Sequence, residues 1–153
     1  MVREVYVKTV LNRHRRRDPW FLDDYSVNPY MLCDYNCVYC YVRGSRYGAN
    51  MGESLAVKVN APTILARELR RRAERREHGF IALSSATEPW MNAEAEYEVT
   101  RKCLRVILRY RFPVHCLTKS SLILRDLDLL GELDECAILP SSGETIPRSP
   151  ARV

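Results

Sequence analysis

Three cysteines lie close together in the first third of the chain and could bind one compact inorganic centre. Cys33, Cys37 and Cys40 are separated by three and then two intervening residues. A loop this short can direct three thiolates at one point, but it does not easily supply a fourth. A closed structural zinc site normally takes four protein ligands, and the common iron–sulfur clusters take four cysteines. Three ligands therefore favour a cluster in which one iron is left open to another molecule.

A zinc site is the main alternative, because a fourth ligand could come from elsewhere in the chain. The residues that could supply it are His14, His78, His115, Cys103 and Cys116. None of them has the close paired spacing that is typical of zinc fingers. Disulfides are a further alternative, since the chain has an even total of six cysteines. The polar start of the chain, without a signal peptide, instead predicts a cytoplasmic location in which thiols stay reduced.

The residues on both sides of the cysteines match a known pattern. Asn28-Pro29-Tyr30 leads into them, and Tyr41 follows the last one. The cysteine spacing resembles the signature of the radical S-adenosylmethionine (radical SAM) superfamily. The flanking residues resemble its spore photoproduct lyase-like (DNA repair photolyase-like) branch. The resemblance covers roughly residues 26 to 136 of the chain.

The resemblance implies a cofactor pair. Cys33, Cys37 and Cys40 would bind a [4Fe-4S] cluster, and S-adenosylmethionine would bind its open iron. Reduction by a cellular electron donor would then yield a 5′-deoxyadenosyl radical that abstracts hydrogen from a substrate. The protein's own part in such chemistry is to bind, orient and exclude water.

Further residues that the resemblance assigns to S-adenosylmethionine lie beside the last cysteine and after two apolar segments. These are Tyr39, Ala86, Thr87, Glu88, Lys119 and Ser120. Tyr39 would lie near the adenine, Glu88 would bind the methionine amino group, and Lys119 would be directed to the cofactor. In the alternative interpretation, Tyr39 only packs within the loop and Glu88 lies in a surface turn. Lys119 is then an exposed cation, and Ser120 is only a helix cap.

The matching stretch of spore photoproduct lyase carries a hydrogen-donating cysteine, whereas Ser84 to Glu88 contain none. A different radical reaction on an unknown substrate is therefore expected, and the sequence assigns no catalytic residue.

Charge favours an anionic partner but does not identify it. The 153-residue chain has a formal charge of +5 and a pI of about 9.0. Arginines cluster at 13–17, with little acidic balance, and at 70–76, interleaved with glutamates. The first run could bind nucleic acid, whereas the second is typical of a solvated helix face. A zinc-stabilised nucleic-acid-binding module is therefore the second functional hypothesis. No apolar run approaches the roughly 20 residues of a membrane helix, so no membrane partner is expected.

Alternating apolar segments predict an α/β fold with parallel strands. The predicted strands are Val5–Val7, Ser26–Met31, Phe80–Leu83, Val114–Leu117 and Cys136–Leu139. Helices are predicted at Ala61–Glu77, after a cap at Asn92, and after a cap at Ser120 or Ser121. Pro62 suits the first turn of the first helix and Gly79 suits its end.

Two buried helix faces are predicted from spacing alone. The expected buried faces are Ala95, Val99, Cys103, Val106 and Tyr110 on the second helix, and Leu124, Leu127 and Leu130 on the third. Glu94 would lie in the first turn of the second helix, where negative charge favours the helix dipole.

The resemblance implies the amino-terminal part of a radical SAM partial (β/α)6 TIM-like barrel, with about three βα units plus one strand. The expected organisation is a basic extension at 1–25, a partial core domain at 26–139 and a tail at 140–153. The tail contains three prolines and no apolar periodicity, which predicts an unstructured segment. The chain is expected to be truncated relative to the family, so an inactive fragment stays an alternative to an enzyme.

Overall fold

The computed structural model describes residues 2–17, 19, 22–45 and 55–137. Seven strands lie within these residues: β1 (Arg3–Val5), β2 (Leu11–Arg13), β3 (Asp23–Val27), β4 (Tyr30–Met31), β5 (Ala56–Lys58), β6 (Phe80–Leu83) and β7 (Val114–Cys116). The α-helices are α1 (Ala61–Glu74), α2 (Glu94–Tyr97), α3 (Val99–Arg109) and α4 (Leu127–Ala137). A 3₁₀ helix at Ser121–Asp126 precedes α4 directly.

The larger sheet has four strands in the order β2-β3-β6-β7. β3, β6 and β7 are parallel neighbours in chain order, with Val27 opposite Leu83 and Leu83 opposite Cys116. β2 pairs with β3 in the antiparallel direction. Parallel neighbours joined through helices are the arrangement that alternating strands and helices predict, so the predicted α/β class is confirmed.

A smaller sheet joins the amino-terminal segment to the segment before α1. Its order is β1-β5-β4, with β1 parallel to β5 and β4 antiparallel to it. Asn60 closes this sheet, because its side-chain amide exchanges two hydrogen bonds of 2.9 Å with the backbone of Val7.

The core lies between the larger sheet and helices α1 and α3, which pack against each other. Leu65 and Leu69 of α1 are fully buried, and so are Ile81 of β6 and Ile107 of α3. Pro62 occupies the first turn of α1 as predicted, where its missing N–H needs no partner. Burying large aliphatic side chains of this kind is worth about 1.5–3 kcal/mol each and holds the helices on this side of the sheet.

Two strand boundaries differ from the prediction. The strand expected at Ser26–Met31 is divided into β3 and β4. Between them Pro29, which has no N–H to donate, uses its carbonyl to accept a 3.0 Å hydrogen bond from Lys58. The strand expected at Val5–Val7 lies two residues earlier, at Arg3–Val5.

The second predicted helix begins and turns differently. Asn92 is not its cap: Ala93 holds that position without a side-chain hydrogen bond, and Glu94 is completely buried. Glu98 then adopts a left-handed φ of 52°, which separates α2 from α3. Because residues before and after Glu98 do not follow one helical repeat, the buried face predicted for a single helix does not hold. The buried residues of α3 are Val99, Thr100, Cys103, Leu104 and Ile107.

The third predicted helix has the predicted cap but another buried face. The Ser120 side chain accepts a 3.2 Å hydrogen bond from the Leu122 N–H. The first six residues are 3₁₀, with three residues per turn, so the α-helical stripe does not apply to them. Leu124 and Leu127 are exposed, whereas Leu129 and Leu133 are buried.

The strand predicted from Cys136 is wrong at its start, because residues 136 and 137 end α4. Residues 138–139 and the tail predicted at 140–153 lie outside the described residues. No helix in the described ranges has the length and apolar character needed to cross a membrane.

Gly79 does not end α1 as predicted, because the helix stops at Glu74 and Arg76 carries the left-handed φ of 56°. Gly79 instead allows the chain to pass close to Asp24. A Cβ at this position would lie 2.5 Å from Asp24 Oδ2 and 2.8 Å from Asp24 Cβ. The same Asp24 oxygen accepts a 3.1 Å hydrogen bond from the Phe80 N–H at the start of β6.

We expect Gly79→Ala to lower the free energy of unfolding by about 1–3 kcal/mol, because the added methyl group must displace Asp24. Gly131→Ala is the matched control. A Cβ at Gly131, within α4, meets no atom within 4 Å, so alanine should stabilise the helix by about 0.5–1 kcal/mol. Urea denaturation of the three proteins measures both changes, and equal effects at the two glycines would contradict the close approach at Asp24.

Candidate functional site

A cavity of about 870 Å³ opens where the parallel strands end. Val27, Leu83 and Cys116 end three neighbouring strands in register, so the loops that follow meet at one edge of the sheet. The predicted site residues that line the cavity are Cys33, Cys37, Cys40, Ala86, Thr87, Glu88 and Lys119. Its size is within the usual range for small-molecule and cofactor sites.

The cysteine loop is a series of tight turns that Arg43 ties together. Its guanidinium donates hydrogen bonds of 2.8 Å to the carbonyls of Cys37 and Asn36. Leu32 and Asn36 adopt left-handed φ values of 67° and 45° on either side of Cys33. Non-glycine residues in this region cost of order 1 kcal/mol each, and such strain collects at functional sites.

The three loop thiols are half-buried and reduced. Burial raises the pKa of Cys33, while the backbone N–H groups of Tyr35 and Glu88 act in the opposite direction on it. Within the described ranges no three His, Cys, Asp or Glu side chains are grouped closely enough to hold a metal ion. All three thiols line the cavity, and binding a common centre requires them to move together.

Glu88 connects the ends of β6 and β7. Its side chain is buried, and one carboxylate oxygen accepts hydrogen bonds from the Thr118 hydroxyl and, at 3.1 Å, from the Trp90 N–H. The other oxygen accepts a 3.0 Å bond from the Lys119 N–H. A carboxylate offers about four acceptor positions, so Glu88 retains capacity for a ligand.

Lys119 and Tyr39 meet at the mouth of the cavity. The Lys119 Nζ atom lies 5.4 Å from the centre of the Tyr39 ring, which is a cation–π contact. Tyr39 itself does not line the cavity and is 72% exposed. Ser120 also lies outside the cavity lining, and its hydroxyl caps the 3₁₀ helix.

Two cavity hydroxyls lack partners. Ser84 Oγ and Thr87 Oγ1 are buried atoms without a hydrogen bond to any described residue. An unsatisfied buried hydroxyl costs about 1–3 kcal/mol, so a polar ligand that bonded to them would be favoured. Ser84 also has a left-handed φ of 61° directly after β6. The sequence suggested Thr87 through the family pattern, but Ser84 was not predicted.

A cluster of buried charged side chains supports the segments that carry the site. Glu94 and Asp126 are both fully buried, and Arg125 lies between them. Its guanidinium donates a 2.8 Å bond to Glu94 and bonds of 2.9 and 3.0 Å to Asp126. Arg101 adds a 2.6 Å bond to Asp126. This cluster of Glu94, Arg125, Asp126 and Arg101 is called the ionic cluster below.

Two aromatic residues attach the ionic cluster to the site. The Tyr30 hydroxyl donates to Glu94, and Tyr30 lies three residues before Cys33. The Trp90 Nε1 atom donates a 2.8 Å bond to Asp126, and Trp90 lies two residues after Glu88. Burial and the Glu94 carboxylate raise the pKa of Tyr30, so its hydroxyl stays protonated and continues to donate.

The ionic cluster also makes stability depend on pH. Although burial alone raises the pKa of Asp126, hydrogen bonds from Arg125, Trp90 and Arg101 hold it below its ordinary value. The stability that Asp126 contributes is therefore present above its unfolded pKa and is lost as pH falls through its lower folded value.

Sequence comparison finds relatives of much greater length. The uncharacterized protein Rv2578c of Mycobacterium tuberculosis strain H37Rv is 33% identical over 114 residues, which are 71% of this chain and 33% of that protein. The uncharacterized protein MJ0683 of Methanocaldococcus jannaschii is 34% identical over 109 residues, 69% of this chain and 39% of that protein. The chain thus spans about a third of the length of the curated relatives it matches. No family model matches the chain, and no solved structure does.

We expect Glu94→Gln to lower the free energy of unfolding by about 3 kcal/mol, because Arg125 then lacks one of its two buried carboxylate partners. The Glu94 carboxylate accepts hydrogen bonds from the backbone N–H groups of Thr100 and Arg101, at 2.8 and 3.0 Å. The neutral amide of glutamine would also place its own N–H groups against these donors. Urea denaturation monitored by circular dichroism measures the change. Glu96→Gln, on an exposed position of the same helix, is the control and should change stability by less than about 0.5 kcal/mol. Equal losses from both variants would refute a special role of the ionic cluster.

Alkylation should separate the loop thiols from the core thiols. Burial raises the pKa of Cys116 to about 12 and also raises that of Cys103. At pH 8 only about one Cys116 in ten thousand is then a thiolate, the reactive form. A short iodoacetamide pulse followed by peptide mass spectrometry should label Cys33, Cys37 and Cys40 but label Cys103 and Cys116 only in denaturant. Labelling of Cys116 in the folded protein as fast as Cys37 would contradict this assignment.

Proposed function

We propose that the chain is a radical SAM protein that binds a [4Fe-4S] cluster and S-adenosylmethionine. The observation that carries the proposal is that one cavity is lined by three loop thiols, Glu88 and Lys119, which the sequence singled out separately. When bound and reduced, this cofactor pair supplies a 5′-deoxyadenosyl radical that abstracts hydrogen from a substrate.

The donor set fits such a cluster. Thiolates are the usual ligands of iron–sulfur centres, and hydrogen bonds to the sulfurs tune them. Cys33 already receives N–H groups from Tyr35 and Glu88. Arg43 binds the loop through the backbone carbonyls of Asn36 and Cys37, so these contacts leave the thiols available for a common centre.

The other cavity residues suit the polar end of S-adenosylmethionine. The Glu88 carboxylate would accept hydrogen bonds from its ammonium group, and the Lys119 ammonium would pair with its carboxylate. Ser84 and Thr87 would give their unpartnered hydroxyls to the same ligand. Tyr39, beside Lys119 at the mouth, would pack against the adenine. In this arrangement the chain's residues bind and orient the cofactor and keep water from it.

The proposal extends to the architecture. β3, β6 and β7 would be the strands of the first three βα units of a partial (β/α)6 barrel, with β4 and β5 inserted between β3 and α1. The chain spans about a third of the length of the curated relatives it matches. Reductive cleavage of S-adenosylmethionine and hydrogen abstraction by this chain therefore belong to the proposal, and an inactive fragment of such an enzyme is the alternative.

Anaerobic reconstitution with iron and sulfide tests the cluster. We expect roughly four irons and four sulfides per chain, with the charge-transfer absorption of a [4Fe-4S] centre. Cys33→Ala, Cys37→Ala and Cys40→Ala should each lose most of the iron, because each removes one of three ligands. Cys116→Ala is the matched control and should keep the wild-type content, since Cys116 does not line the cavity.

Other results of the reconstitution experiment would favour a different ligand set or a different function. Iron content that is the same in Cys37→Ala and in Cys116→Ala would overturn the ligand assignment. One tightly held zinc without charge-transfer absorption would favour the zinc-stabilised module. A cluster that forms but gives no 5′-deoxyadenosine on reduction with S-adenosylmethionine would indicate a fragment that binds but does not react.

A further inference from the structure

The cavity continues along the sheet beyond the cysteine loop to a second end of different chemistry. Asp23 begins β3 and lies about 13 Å along that strand, four residues of extended chain, from Val27 at the edge where the loops of the site meet. The residues of this second end are His14, Arg16, Arg17, Pro19, Asp23 and His115. Ala82, between the two ends, has a small side chain that leaves the floor of the cavity open.

The second end is built from fixed groups. The His14 N–H donates a 2.9 Å bond to the Asp24 carbonyl, and its Nδ1 atom lies 3.2 Å from the Asp23 carbonyl. The His115 Nδ1 atom lies 3.8 Å from the Asp23 carboxylate. Arg17 donates a 2.7 Å bond to the Leu22 carbonyl. Backbone and side-chain contacts therefore hold both imidazoles and one guanidinium in place.

Positive charge exceeds negative charge at this end. Arg16 and Arg17 line it together with one carboxylate, that of Asp23. Arg16 forms no ion pair with any residue of the described ranges, whereas Arg17 lies 3.6 Å from Asp24. The other acid of the cavity wall, Glu88, is at the cysteine end and bonds to the loop after β7. A guanidinium that has no acidic partner in the described part of the chain and lies beside two imidazoles is suited to an oxyanion, which it can bind through two parallel N–H bonds.

We propose that this second end is an oxyanion subsite that holds a phosphate or carboxylate group of the substrate, with Arg16 as its principal ligand and His14 and His115 as its walls. The inference rests on the proposed function only in calling the bound molecule a substrate. A substrate anchored here extends over Ala82 towards the cysteine end, where the reaction would occur.

Imidazole resonances provide a direct test on the full chain without cluster or cofactor. The chain has three histidines, and two of them line the subsite. His78 lies outside the cavity, its ring 4.7 Å from that of Phe112, and serves as an internal reference. Inorganic phosphate and acetate are titrated separately at constant pH and ionic strength. We expect the His14 and His115 signals to shift and saturate while His78 stays unchanged, and the anion that binds more tightly identifies the group.

Arg16→Gln should weaken this binding about tenfold, the loss expected for one charge-assisted hydrogen bond. Arg105→Gln is the matched control, because Arg105 is an exposed arginine on α3 outside the cavity. An unshifted His78 signal in both variants verifies that they fold. The proposal is overturned if neither anion shifts His14 and His115, if all three histidines respond alike, or if both variants weaken binding equally. These outcomes are independent of cluster reconstitution, so either proposal can fail without the other.

Discussion

Two carboxylates with no exposure to water are the central constraint on this structure. An ionised group transferred from water to a protein interior costs several kcal/mol even after relaxation, so Glu94 and Asp126 are tolerable only while Arg125 lies between them. That requirement fixes α2 against the 3₁₀ helix. Tyr30 and Trp90 then extend the same constraint to the segments that carry Cys33 and Glu88.

The ionic cluster explains why part of the fold could be predicted and part could not. Phe80–Leu83 is an uninterrupted apolar run, and the burial of Ile81, Ala82 and Leu83 in the parallel sheet follows from local pattern alone, although Phe80 at the start of the strand is exposed. Glu94 is different, because local pattern assigns a glutamate near a helix start to solvent and to the helix dipole. Its partner Arg125 is 31 residues away, and nothing in the local sequence pairs them. The left-handed Glu98 likewise has no local signal of the kind that glycine would give.

The candidate site, like the fold, could be predicted from the sequence only in part. Cysteine spacing and polar residues after apolar strands were enough to select side chains that do line one cavity. Arg43 and Ser84 were not found as site residues, since their roles depend on turns and strand register that bring distant segments together. The arginine run at 13–17 was selected for its charge, but the position of Arg16 and Arg17 in the same cavity as the cysteines was not predicted. A basic residue three positions after the last cysteine was the only available signal for Arg43. Tyr39 and Ser120 were selected by pattern, but they lie at the mouth and at a helix cap.

The position of Glu88 has a thermodynamic consequence. Its backbone N–H counteracts the effect of burial on the pKa of Cys33, and its carboxylate accepts hydrogen bonds from the Thr118 hydroxyl and the Lys119 N–H. A ligand that draws Cys33 inward therefore also moves the peptide that orients Lys119, and a ligand that binds Lys119 acts on Cys33 through the same residue. Linkage requires the two effects to be equal in free energy, so occupancy at either wall changes the affinity of the other by the same factor. A single buried glutamate thus connects the cysteine side of the cavity to the loop that carries Lys119.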